Sequence, residues 1–146
     1  MSKLKIGNFD LAAFDTVAAS NKGAEVELLD LNNVSTGIFI KVLGSDSAVW
    51  REHINERANK RIVAQFKAQR GGLKPSDIPT KEEADADAIT LLTLCTVGWR
   101  TNDNPVITFN GEELAFNAAN CARIYTELPF VRDQVDAFIG DMGNFI

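Results

Sequence analysis

Val26-Glu27-Leu28-Leu29-Asp30-Leu31-Asn32-Asn33-Val34-Ser35-Thr36-Gly37-Ile38-Phe39-Ile40-Lys41-Val42-Leu43-Gly44-Ser45-Asp46-Ser47 is the stretch on which the fold turns. From Ala24 to Leu31 the pattern Val26, Leu28, Leu29, Leu31 is extended. Asn32-Asn33 is a turn signal, and Thr36 to Leu43 is a second strand rich in β-branched and aromatic side chains. Together they predict an antiparallel β-hairpin. Two strands alone are marginal in water, so the hairpin must lie against something apolar or recruit a third strand. Gly44-Ser45-Asp46-Ser47 then offers several N-caps in succession and opens a long helix.

Within that helix Trp50, Ile54, Ala58, Ile62 and Phe66 follow at steps of four, a slowly drifting apolar stripe. Arg51 and Arg61 fall within or at the edge of it and must snorkel or pair. Gly71-Gly72 ends the helix, and residues 71–79, with prolines at 75 and 79, are predicted to be a linker or hinge between 24–70 and 80–146. Thr80-Lys81-Glu82-Glu83 matches a capping box, and Glu82, Glu83, Asp85 and Asp87 place negative charge where a helix dipole favours it. Ile89 to Val97 is apolar on nearly every side and reads as a buried helical half closed by Gly98-Trp99.

Val106 to Phe109, Asn110-Gly111 and Glu112 to Phe116 carry a short hairpin signal, Asn-Gly supplying the positive φ angles of a type I′ turn. Asn117 caps a helix with Cys121, Ile124, Tyr125 and Leu128 on one side. Pro129 starts another, with Val131, Val135, Phe138, Ile139 and Met142. Upstream, Leu11, Phe14 and Val17 suit a short helix stopped by Ser20 to Gly23, and residues 1–23 are read as an arm. The expectation is one α+β domain over 1–146, mostly helical. It has an N-terminal β-hairpin, a long helix, and a C-terminal helical part with a short Asn-Gly hairpin.

Composition narrows function by exclusion. The 146 residues are 45% hydrophobic and 24% charged, with a formal charge of −5, ordinary for a globular protein and wrong for a general nucleic-acid binder. Arg57, Lys60, Lys67 and Arg70 do spread over the long helix, but no aromatics interleave with them, so a solvated face is favoured. Charge is divided along the chain: residues 1–74 hold 11 basic and 8 acidic side chains, residues 75–146 hold 4 and 12. Such a polarised molecule can bind its own kind head to tail or steer a charged partner.

No apolar run is long enough to span a bilayer or to serve as a secretion signal. Cys95 and Cys121 are too few for a disulfide scaffold and read as inert core thiols. His53 is the only histidine; with Glu52 and Glu56 it lacks a second ligand set, so it reads as a helix-surface residue near Arg57. Gly-x-Ser-x-Gly, the P-loop signature and Gly-x-Gly-x-x-Gly are absent. The expectation is no enzyme, no cofactor and no metal.

Two stretches as an ordered set resemble a known family. One is Val26 to Ser47, running into Trp50-Arg51-Glu52 and the basic helix. The other begins at Val97-Gly98-Trp99, continues through Ile107-Thr108-Phe109-Asn110-Gly111-Glu112-Glu113-Leu114-Ala115-Phe116-Asn117 to Asn120, and ends in Tyr125 to Val135. This ordering, over about residues 24–140 without the linker, resembles the tail assembly chaperones of long-tailed bacteriophages. Ala115-Phe116 departs from the Pro-Phe more usual there.

The resemblance implies a non-catalytic protein of the infected host's cytoplasm. It would coat the tape-measure protein, help recruit tail tube subunits, and be absent from the mature virion. It also implies that this chain is the shorter of two frameshift-related products. A client of mostly apolar helix needs an apolar groove or edge. The candidates are Phe9, Leu11, Phe14 and Val17, with residues 1–23 as a flexible or client-binding arm, then Phe39 of the hairpin and Trp50 and Phe66 of the stripe. Each is also an ordinary core residue. The alternatives are a permanent virion part, such as a tail terminator or head–tail connector protein, and an unrelated bacterial adaptor. A homo-oligomer is compatible with the first reading; a membrane or nucleic-acid partner is not expected.

Overall fold

The hairpin recruits its third strand from a stretch predicted to close a helix. In the computed structural model, which describes residues 10–71 and 80–145, β1 (Ala24–Leu29) pairs antiparallel with β2 (Ser35–Val42), and β2 pairs on its other side with β3 (Thr96–Thr101). The helix expected to reach Gly98-Trp99 therefore ends earlier: the elements are α2 (Ala48–Gly71) and α3 (Lys81–Cys95), and Gly98 and Trp99 lie in β3. The reason lies at Thr96 and Val97. Both are β-branched and lose rotamer freedom in a helix, and an unfilled edge of β2 offers their backbone a ladder instead, with Ile40 opposite Trp99. Nor is that half wholly buried, for Leu94 and Val97 are exposed while Leu91, Leu92 and Cys95 are not.

The inner sheet face carries Val26, Leu28, Ile40, Val42 and Trp99. They form one core with Leu91, Leu92 and Cys95 of α3, Cys121, Ile124 and Tyr125 of α4 (Ala118–Glu127), and Val135 and Ile139 of α5 (Pro129–Gly140). The Trp99 indole N–H donates to the Leu114 carbonyl at 3.1 Å, tying the sheet to a hairpin of β4 (Val106–Phe109) and β5 (Glu112–Ala115). That hairpin turns at Asn110 and Gly111, with φ of 53° and 77°, as the Asn-Gly signal requires. Helix starts follow their caps: Thr80 Oγ1 accepts from the Glu83 amide at 3.1 Å, and Asn117 Oδ1 from Asn120 at 2.8 Å. The fold is α+β, 59% of the described residues being helical, with the N-terminal hairpin, long helix and helical C-terminal part expected.

At its outer edge β1 bulges between Glu27 and Leu29. The Gln134 side chain of α5 fills the gap left there. Its oxygen accepts from the Leu29 amide and its Nε2 donates to the Leu29 carbonyl, both at 2.9 Å. One side-chain amide thus takes the place of a neighbouring strand at the edge position.

Before the sheet, a short 3₁₀ turn (Leu11–Phe14) leads into α1 (Thr16–Lys22). Of the stretch read as an arm, α1 lies on the body. The Gly44 amide donates to the Ser20 carbonyl at 3.0 Å and the Ala48 amide to Asn21 Oδ1 at 2.9 Å. A Cβ at Gly44 would lie 2.3 Å from Ser20 Oγ, so this approach needs glycine. Phe9 and positions 72–79 of the linker lie outside the described residues.

Candidate protein-binding surface

Three of the four apolar N-terminal side chains have described positions, and they are exposed. Leu11 and Phe14 are 73% and 63% accessible on the 3₁₀ turn, and Val17 follows on α1. Val17 and Asn21 form one wall of an open groove of about 540 Å³. The other wall is α2, through Ala48, Arg51, Glu52, Asn55, Glu56 and Asn59. Asp46, also in the lining, takes a hydrogen bond from the Thr16 hydroxyl and lies 3.8 Å from Arg51. The walls are mostly polar, and of the three apolar side chains Val17 is the one that lines the groove.

Phe39 is placed differently. It lies on the outer sheet face, half-buried, with the Arg100 guanidinium 4.3 Å from its ring centroid. Arg100 is held there by two hydrogen bonds to the Glu25 carboxylate, at 2.8 and 2.9 Å. These bonds hold the Glu25 carboxyl below its ordinary pKa. A cation stacked on the ring leaves Phe39 little apolar surface for a client.

Trp50 and Phe66 are separated by helix geometry. Steps of four residues overshoot a turn by about 40° each, so the stripe winds about 160° around α2 between its ends. Trp50 packs partly against the core, Ile54 is 38% accessible, Ile62 49% and Phe66 59%. No described side chain of residues 58–71 is buried. With Val63, not singled out by the step-of-four pattern, Ile62 and Phe66 form an exposed apolar strip on the side of α2 away from α3. The signal for it was the drift itself.

The side facing α3 is polar. His53 Nε2 lies 3.1 Å from Asp87 Oδ1, and Arg57 Nε lies 2.7 Å from Asp87 Oδ2 in ion-pair contact. His53 is therefore not on the open surface: its side chain is 12% exposed, held between α2 and α3.

Beneath the sheet, Thr96 Oγ1 donates to the Leu92 carbonyl at 2.7 Å, so it is left to accept from the Tyr125 hydroxyl, also at 2.7 Å. Cys95 and Cys121 are free and buried, and burial pushes the Cys95 thiol up to about 11 and raises Cys121. Such thiols pack as apolar groups and are poor nucleophiles. Among the described residues, no group of three or more His, Cys, Asp or Glu is arranged to hold a metal ion, and no helix is long and apolar enough to cross a membrane.

Comparison of the chain with known protein families, curated proteins and solved structures finds no match.

Proposed function

We propose that this chain is a non-catalytic tail assembly chaperone of a long-tailed bacteriophage, which binds the tape-measure protein in the host cytoplasm and promotes assembly of the tail tube around it. The ordered resemblance of residues 24–140 motivates the reading. The observation that carries it is the exposure of Leu11, Phe14 and Val17 along the 3₁₀ turn and the start of α1, with Val17 lining the groove between α1 and α2. Exposed large apolar side chains on the segment that walls a groove are what a helical client needs, because an amphipathic helix binds by laying its apolar face into a groove. The polar wall of α2 supplies Asn55, Asn59 and the Glu52 and Glu56 carboxylates to the client's flanks. Phe39 and Trp50 contribute to the fold rather than to the client.

Co-expression tests the reading. The tape-measure protein alone is expected to aggregate, and with this chain to stay soluble and co-purify. Leu11→Ser with Phe14→Ser is expected to lower co-purification at least tenfold. If the client stays insoluble and this chain is found by mass spectrometry in mature virions, the protein is a permanent tail component instead.

A further inference from the structure

Two helix faces of opposite charge stand open on this chain. On the distal half of α2, Ile62, Val63 and Phe66 are exposed, and Lys60, Lys67 and Arg70 border them. No acidic residue occurs between Glu56 and Gly71, and these three cations have no ion-pair partner among the described residues. The other face is on α5. Phe130 is 46% accessible, Asp133 and Ala137 follow at helical spacing on the same side, and Asp136 borders them. A Cβ added at Gly140, one turn on, would meet nothing within 4 Å. Among the described residues the only ion contact of Asp133 is its chain neighbour Arg132, at 3.7 Å.

We propose that these faces are the two halves of one interface between copies of this chain, the distal half of α2 in one copy packing on the outer face of α5 in the next. Charge complementarity selects the occupant. Asp133 and Asp136 on α5 of one copy are met by Lys60, Lys67 and Arg70 on α2 of the next. Other pairings fit less well. Two α2 faces together would set Lys60, Lys67 and Arg70 against their own kind. The acidic start of α3 offers only Ala84, Ala86 and Ala88 beside its carboxylates, and so no large apolar anchor for Phe66. On α5, Phe130 supplies the anchor while Ala137 and Gly140 leave room for the Phe66 ring. Because the two surfaces differ, the contact is head to tail and each bound copy still offers one open face, so association does not stop at a pair.

Sedimentation velocity tests this without any client, so its outcome is independent of the function proposed above. At low ionic strength the wild-type mass is expected to rise with concentration past twice 16.0 kDa. It should fall back toward one chain in about 0.5 M salt, where exposed charges are screened within a few ångströms. Phe66→Ser and Phe130→Ser each remove one face and are expected to be monomeric alone. Mixed in equal amounts they should give a dimer and nothing larger. Lys67→Asp should weaken association at least tenfold, and adding Asp133→Lys in the same chain should restore most of it. Circular dichroism on each variant checks that the fold is retained. A wild type that stays monomeric at low salt overturns the proposal, as does either Phe variant assembling alone like the wild type. So does a charge swap that restores nothing.

Discussion

At the scale of single residues, the buried hydroxyl pair makes an unequal prediction. Thr96 spends its one proton on the Leu92 carbonyl and accepts from Tyr125. Tyr125→Phe therefore removes a donor whose acceptor keeps another bond, and is expected to cost about 1 kcal/mol. Thr96→Val keeps the β-branched shape but leaves the Tyr125 hydroxyl with a cysteine thiol, a weak acceptor, at a cost of about 1–3 kcal/mol. Urea unfolding of the two variants checks the order, and Tyr125→Phe proving the more damaging would reverse the donor assignment. The thiols give a pH prediction. Folding raises Cys95 to about 11 and raises Cys121, so the folded state binds protons that the unfolded chain releases near 9. Their contribution is complete below pH 9 and is lost as pH climbs toward 11. Tyr125, also raised by burial, adds to the loss above about pH 10, near the ordinary tyrosine value. The unfolding midpoint should fall from pH 9 to 10, and less in Cys95→Ala.

Among the elements, the edge of β1 depends on one side chain. Gln134→Ala frees both backbone groups of Leu29, so its amide should lose protection from hydrogen exchange. Gln134→Glu should do worse at neutral pH, since a carboxylate still accepts from the amide but faces the carbonyl with like polarity. Neither bond could be read from the sequence, because it spans 105 positions and nothing local distinguishes Gln134 from any solvated glutamine. What local pattern does carry was legible. The alternation in Val26 to Val42, the Asn-Gly turn and the caps at Thr80 and Asn117 each rest on chemistry within a few residues. The boundary at Cys95 was not, because Thr96 to Trp99 is apolar in either state and only the vacant edge of β2 decides it. The stripe on α2 was legible as a pattern and misleading as a core. Trp50→Ala is expected to cost about 2 kcal/mol, below the roughly 3–5 of a fully buried aromatic. Phe66→Ala should stay within about 0.5 kcal/mol, as surface sites do. Unfolding at low protein concentration and high salt separates these from association. Equal costs would mean that α2 is packed along its whole length.

For the whole molecule, stability should be graded. The three-stranded sheet packs on α3, α4 and α5 through one cluster, and β2 meets β3 only after the chain has passed through α2, with Ile38 opposite Thr101. Core pairing is therefore long-range, and amides of β1, β2, β3, α4 and α5 should exchange only with global unfolding. α2 stands apart from this unit. Its first part is tied down by the Asn21 cap, by partly buried Trp50, and by His53 and Arg57 on Asp87. Residues 58–71 have no comparable tie among the described residues. An unsupported helical segment of that length is marginal in water. The dilute protein in high salt should thus exchange rapidly over 62–71, with protection rising steadily back toward Ala48. The candidate site follows the same division: its exposed apolar side chains lie on the 3₁₀ turn, α1 and distal α2, outside the cooperative core, where new contacts can form without dismantling old ones. Hydrogen exchange followed by mass spectrometry reads this directly. Protection of 62–71 as strong as that of Ile40 or Tyr125 would show that distal α2 belongs to the core unit, and its apolar strip would no longer be open to a partner.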